Sequence, residues 1–152
     1  MDVFSHALWG RGLFGHKGHP WLALFFGALP DISSFGAFML LRLIDGSYEP
    51  GPPSLQTIPQ WVHIVYDTMH SFVTASVVIF LVSRWRKDIA FAMCGWFFHI
   101  VLDFPFHTRH FFPTKIFYPL SDFFFDGISW GSPWVLLPNM AGLVVLYVWR
   151  YL

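Results

Sequence analysis

Residues 21–44 read WLALFFGALPDISSFGAFMLLRLI, an apolar run long enough for a bilayer crossing, which takes about 20 such residues, and interrupted near its middle by Pro30 and Asp31. Three more stretches have the same character, at 61–83, 89–106 and 133–152. The expected architecture is all-α, an integral membrane helical bundle of about four spanning helices. Composition agrees, with 55% hydrophobic and only 12% charged residues, where an ordinary soluble domain has about 25% charged. Nine Lys+Arg balance nine Asp+Glu, so no positive field is available to hold a nucleic-acid backbone, and nucleic acid is excluded as a partner. Cys94 is the one cysteine, which rules out an internal disulfide or a thiolate zinc site and leaves imidazole and carboxylate as metal ligands. Eight histidines in so apolar a chain are the anomaly, because ionisable groups in membrane segments are costly and tend to serve a task.

On the N-terminal side, MDVFSHALWGRGLFGHKGHP lacks the basic start, apolar run and small-residue cleavage site of a signal peptide. Its stretch 3–14 is too short to span, and the GHKGHP turn after it folds a short helix back onto the first span. The proline-rich connection 45–60 belongs in water. RWRK at 84–87 is the densest basic cluster and sets the cytoplasmic side; Arg150 agrees with that orientation and Arg42 opposes it. Residues 107–130, crowded with Phe, Tyr and Trp, read as an aromatic segment lying along the headgroups. Residues 1–152 form one domain with no internal repeat.

The chemistry sits in titratable residues at helical spacing inside the apolar runs. His63, Asp67 and His70 fall at i, i+4 and i+7, and His99 and Asp103 at i, i+4, so each set shares a helix face. His107 is one step of four further, beyond the helix-disturbing Pro105. At about 1.5 Å of rise per residue, His99 and Asp103 stand roughly 18 and 24 Å from the basic loop, and His70 and Asp67 roughly 21 and 26 Å. His6 and Asp31 lie roughly 14 and 17 Å from the GHKGHP turn on the same geometry. Four helical arms thus present His or Asp at overlapping depth, where isolated carboxylates would be strongly destabilising and a bound cation or mutual pairing is the relief. Imidazole with carboxylate suits zinc, manganese or iron, as one ion or as two bridged ions. His16, His19 and His110 read as exposed polar residues. Arg109 and Lys115 suit headgroup anchoring or a phosphate, and Asp122 and Asp126 are loop ligands or turn residues. No GxGxxG, no phosphate-binding glycine loop and no GxSxG occurs, so nucleotide chemistry and serine hydrolysis drop out.

Taken in order, DVFSHALWG (2–10), GALPDISSF (27–35), MHSF (69–72), GWFFHIVLDFPFHT (95–108) and YPLSDFFFDGISW (118–130) resemble the motifs of the membrane-bound metal-dependent hydrolases, small multi-span proteins with a distant similarity to zinc-dependent phospholipase C. The resemblance runs over nearly the whole chain and implies His6, Asp31, His70, His99 and Asp103 as metal ligands. Where that family often carries a His-Arg pair and a Thr before His-Ser, this chain has Val65, Tyr66 and Met69, and Asp67 stands nearby as a substitute ligand. The expectation is therefore a hydrolase of a bacterial inner membrane, with one or two divalent ions, zinc foremost, acting on an ester or phosphoester of a lipid or other amphipathic substrate. Asp67, His99 and Asp103 are its catalytic candidates, Asp67 as a further ligand or as the base that takes the water's proton. Two other readings use the same residues: a proton or metal-ion transporter, and a scaffold whose His–Asp contacts tie helices together.

Overall fold

The computed structural model describes residues 1–51 and 53–151, and within them the chain is helical with no strand. Pro52, in the expected polar connection, and Leu152, at the end of the expected fourth span, lie outside the described residues. Seven α-helices follow in order: α1 Val3–Phe14, α2 Pro20–Asp31, α3 Ala37–Ile44, α4 Gln60–Met69, α5 Phe72–Ser83, α6 Lys87–Asp103 and α7 Pro133–Tyr151. A five-residue π turn, Ile32–Gly36, joins α2 to α3 into one continuous helix. Pro30 removes an amide from this helix, and Ser33 and Ser34 turn their hydroxyls back onto the Pro30 carbonyl at 3.0 and 2.8 Å, so the ladder widens just after Asp31.

α1 starts at Asp2, whose carboxylate accepts the Ser5 amide at 2.9 Å, and it folds back on α2 as its short length and glycine-rich turn require. The contact is backbone to backbone. A Cβ on Gly10 would meet the Ala23 carbonyl oxygen at 2.4 Å, and one on Gly27 would meet the His6 carbonyl oxygen at 2.4 Å. Residue 10 thus opposes 23 while 6 opposes 27, which makes the two helices antiparallel. α6 enters the same crossing through Gly95, where a Cβ would stand 2.9 Å from the Ala23 oxygen and 3.3 Å from Gly10 Cα. α7 docks on α1 through polar ties: Trp9 Nε1 donates to Asn139 Oδ1 at 2.8 Å, and Asn139 Nδ2 donates to Ser5 Oγ at 2.8 Å.

The second expected span is broken. α4 and α5 are bent by 58° at His70–Ser71, where Ser71 Oγ accepts the Val73 amide at 3.1 Å and donates to the Tyr118 carbonyl at 2.5 Å. Beyond α6 the chain runs without helix to Ser132 and returns against the end of that helix, as the Gly127, Ile128 and Trp130 amides donate to the carbonyls of His107, Pro105 and Phe106. Among the described residues, Pro20–Ile44 is the one helix long and apolar enough to cross a membrane, and α4 with α5 qualifies only as a bent pair. α6, at 17 residues, and α7, interrupted by Pro138 and Asn139, do not qualify.

If the glycine crossing sets the fold, Gly27→Ala costs about 1–3 kcal/mol or more, because the new methyl meets backbone rather than a side chain able to move. Gly36→Ala, with nothing nearer than 3.5 Å to its Cβ, is neutral or stabilising by up to about 1 kcal/mol. Thermal unfolding in detergent checks the pair; equal tolerance of both would remove the crossing from its role.

Candidate metal centre

Asp31, His70, His99 and Asp103 converge where α2, the α4–α5 break and α6 meet, each offering one ligand atom within 4.8 Å of the others. His99 and Asp103 arrive on one face of α6 by their spacing of four. His70 is the residue at which α4 stops, and Asp31 is held at the start of the π turn. His70, His99 and Asp103 are fully buried, while the Asp31 side chain keeps 20% exposure.

The separations match a coordination shell. Bonds of about 2.1 Å to donors at tetrahedral corners leave the donors about 3.4 Å apart. Here His70 Nε2 and His99 Nε2 are 3.1 Å apart, and they lie 3.4 and 3.2 Å from Asp103 Oδ2. Asp31 Oδ1 is 3.7 Å from each Nε2. The tautomers follow from the outer contacts. His70 Nδ1 donates to the Tyr66 carbonyl at 2.9 Å and His99 Nδ1 to the Gly27 carbonyl at 2.7 Å, which leaves each Nε2 as the ring atom aimed into the cluster. Two ring nitrogens facing at 3.1 Å need a positive centre between them, a shared proton or a metal ion, and imidazoles anchored to carbonyls in this way are the usual form of metal-binding histidine. Asp103 Oδ2 makes the same demand: three imidazole nitrogens crowd it, yet it is buried without an aligned hydrogen bond.

His6, expected as a ligand, stands one step behind. Its Nε2 donates to Asp103 Oδ1 at 2.9 Å and its ring stacks on His99 with centroids 3.6 Å apart, so it aims the carboxylate from outside the donor set. The Met1 amino group contacts the same oxygen. Asp67, expected as a ligand or base, is turned away, and Lys115 Nζ donates to its Oδ2 at 3.1 Å. The helix phase explains it: α4 ends at Met69, and the residue beneath His70 is Tyr66, whose ring stacks on the imidazole with centroids 3.8 Å apart. His63 stacks on Phe112 and does not reach the cluster.

His107 does reach it, with Nε2 3.4 Å from Asp103 Oδ2, even though α6 has already ended. Its Nδ1 donates to the Phe112 carbonyl at 2.9 Å and lies 3.2 Å from the Tyr66 hydroxyl, contacts made between the loop and α4 that no local spacing encodes. Tyr66 itself carried no signal in the sequence beyond its place four residues before His70. In the loop, burial lowers the Lys115 pKa but the hydrogen bonds to Asp67 and Asp122 outweigh it and hold the ammonium above the ordinary lysine range. The Arg109 backbone amide and guanidinium keep Asp126 below the usual carboxylate range. His16 contacts Arg150 at the GHKGHP turn, His19 contacts Asp88, and His110 is exposed.

Elemental analysis of zinc-loaded, detergent-purified protein is expected to give about one equivalent in the parent and in Asp67→Asn. The His99→Ala, Asp103→Ala double variant is expected to retain less than about a tenth of that. Loss of metal in Asp67→Asn with retention in the double variant would dissolve the donor set as assigned. Comparison of the chain with protein-family models, with curated proteins and with solved structures yields no match, so the assignment rests on these contacts.

Proposed function

We propose that this chain is an integral membrane hydrolase in which Asp31, His70, His99 and Asp103 hold a divalent cation, zinc foremost and manganese or iron next, for the cleavage of an ester or phosphoester in a lipid or other amphipathic substrate. The observation that carries the reading is the donor set itself, two imidazole nitrogens and an unpaired carboxylate oxygen at 3.1–3.4 Å. A four-donor set of this size supports one ion rather than two. Four protein donors would fill a tetrahedral shell, so such an ion would take a water as a fifth donor or in place of Asp31, and it would lower that water's pKa and polarise the scissile group.

The surroundings support the same reading. A cavity of about 410 Å³ opens beside Asp31, lined by Ile32, Phe35, Met39, Phe111 and Trp130, a size and character suited to an apolar chain. Asp31 is the one member of the donor set open to that cavity, so its carboxylate is the group that meets substrate and takes the water's proton. His107 lines the cavity as well, and its Nε2 is the second titratable atom within reach of the reacting group. His6 fixes the orientation of Asp103. Placement in a bilayer, with α6 and α7 completing a four-span bundle, is supported by the apolar side chains that α5 and α7 turn outward, among them Phe80, Leu137, Val144, Val145 and Trp149. The resemblance to membrane-bound metal-dependent hydrolases points the same way and brings with it a bacterial inner membrane.

Purified protein assayed with zinc on fluorogenic lipid esters and phosphodiesters is expected to turn over substrate, to stop on chelation and to recover on re-addition of metal. Asp103→Asn should abolish both metal and turnover, whereas Asp31→Asn should weaken metal binding and lower kcat by about a hundredfold or more. Full turnover in Asp103→Asn would end the proposal.

A further inference from the structure

At the end of the bundle away from the donor set, α1, its turn and α7 enclose a second pocket of about 380 Å³, lined by Arg11, Gly12, Gly15, His16, Gly18 and Arg150. Its charge is one-sided, since no Asp or Glu lines it among the described residues. Among the described residues the carboxylate near this turn is Asp88, and it is already engaged, accepting from His19 Nε2 at 2.7 Å and from Arg86 at 2.9 Å. Arg150 spends Nε on the Gly12 carbonyl at 2.9 Å and one terminal nitrogen on Leu13 and His16, contacts that hold the fork in place without neutralising it. Arg11 is less satisfied: its Nε is buried with no hydrogen-bond partner, and its guanidinium rests on the Trp21 ring 4.7 Å from the centroid. The same side chain lines the pocket, and its guanidinium is without a hydrogen-bond partner among the described residues, so an anion there meets unspent donors.

We infer that this pocket binds a phosphate group. Two guanidinium forks facing one space offer more donors than a carboxylate can accept, and a phosphate's several oxygens match planar, bidentate donation. Two sources present that chemistry here. Trp21 and Trp149, each under an arginine and 69% and 72% exposed, stand as aromatic side chains do at headgroup level, so a phospholipid headgroup can reach the pocket from the side. Inorganic phosphate or a soluble phosphoester can reach it from water. The inference is independent of the hydrolase proposal, because none of its residues touches the donor set.

The experiment uses the full chain in a phosphate-free detergent. Inorganic phosphate, titrated at constant ionic strength against chloride, is expected to raise the unfolding temperature saturably if the source is soluble. Retention of phosphatidic acid over phosphatidylcholine in native mass spectrometry, after extraction from mixed vesicles, is expected if the source is a headgroup. In either arm Arg11→Gln weakens binding by at least about tenfold, as the loss of a charge-assisted hydrogen bond requires. Arg86→Gln, a cation on the same end but outside the pocket, leaves binding unchanged. Among the described residues Arg11 makes no side-chain hydrogen bond, so its variant is expected to keep the fold even if Arg150→Gln does not. Phosphate equal to chloride together with no preference for phosphatidic acid overturns the inference, and so does an equal loss in Arg11→Gln and Arg86→Gln.

Discussion

Where α1, α2 and α6 cross, Gly10, Gly27 and Gly95 let three helix backbones approach to distances that no other residue allows, and the remainder of the molecule is arranged around that point. Close backbone packing at small residues gains contact that bulkier side chains would prevent. The crossing fixes heights as well as contacts. With Gly27 seated on His6 and Gly95 on Gly27, the residues one turn on, His99, and two turns on, Asp103, are carried to the level of His6 and Asp31. The Gly27 carbonyl then becomes the acceptor for His99 Nδ1, so one residue both admits α6 and orients a ligand.

Each further donor is brought in by a departure from regular helix. His70 is available because α4 ends on it, freeing the ring to lie over Tyr66 while Ser71 starts the next helix at a new angle. Asp31 sits where Pro30 and the π turn loosen the ladder. His107 follows the last residues of α6 and is held by pairing with the returning chain at Gly127. Regular segments thus set the depth of the centre and irregular ones aim its side chains.

That division also governs what was legible beforehand. The helical character, the folded-back first helix and the meeting of Asp31, His70, His99 and Asp103, with His6 behind them, are present in the fold. Asp67 misled because its spacing was counted along a helix that stops two residues later, and the face toward the centre belongs to Tyr66. His107 was visible as one step of four beyond Asp103, but its hold on the Tyr66 hydroxyl was not, and Asn139 and the Arg11–Arg150 pocket depend on partners far away in the chain, so no window of sequence contains them. The three glycines were visible as residues but not as a meeting point, since a missing side chain says nothing about which neighbour fills the space.

The π turn at Ile32–Gly36 carries one more residue than an α-helix of the same rise would hold. In terms of gene length, it marks the position along Pro20–Ile44 where a single codon can be lost with least disturbance to the hydrogen-bond ladder, and also where losing it has the largest directional effect. Closing the turn to α-helix would rotate everything beyond it by about 100° relative to the glycine crossing. Phe38 would swing out of its cluster with Val62 and Tyr66, and Tyr66 is the residue that backs His70. An extra residue in the middle of this long apolar helix is thus a register mark that couples the packing of one helical half to the geometry of the His–Asp cluster at the other.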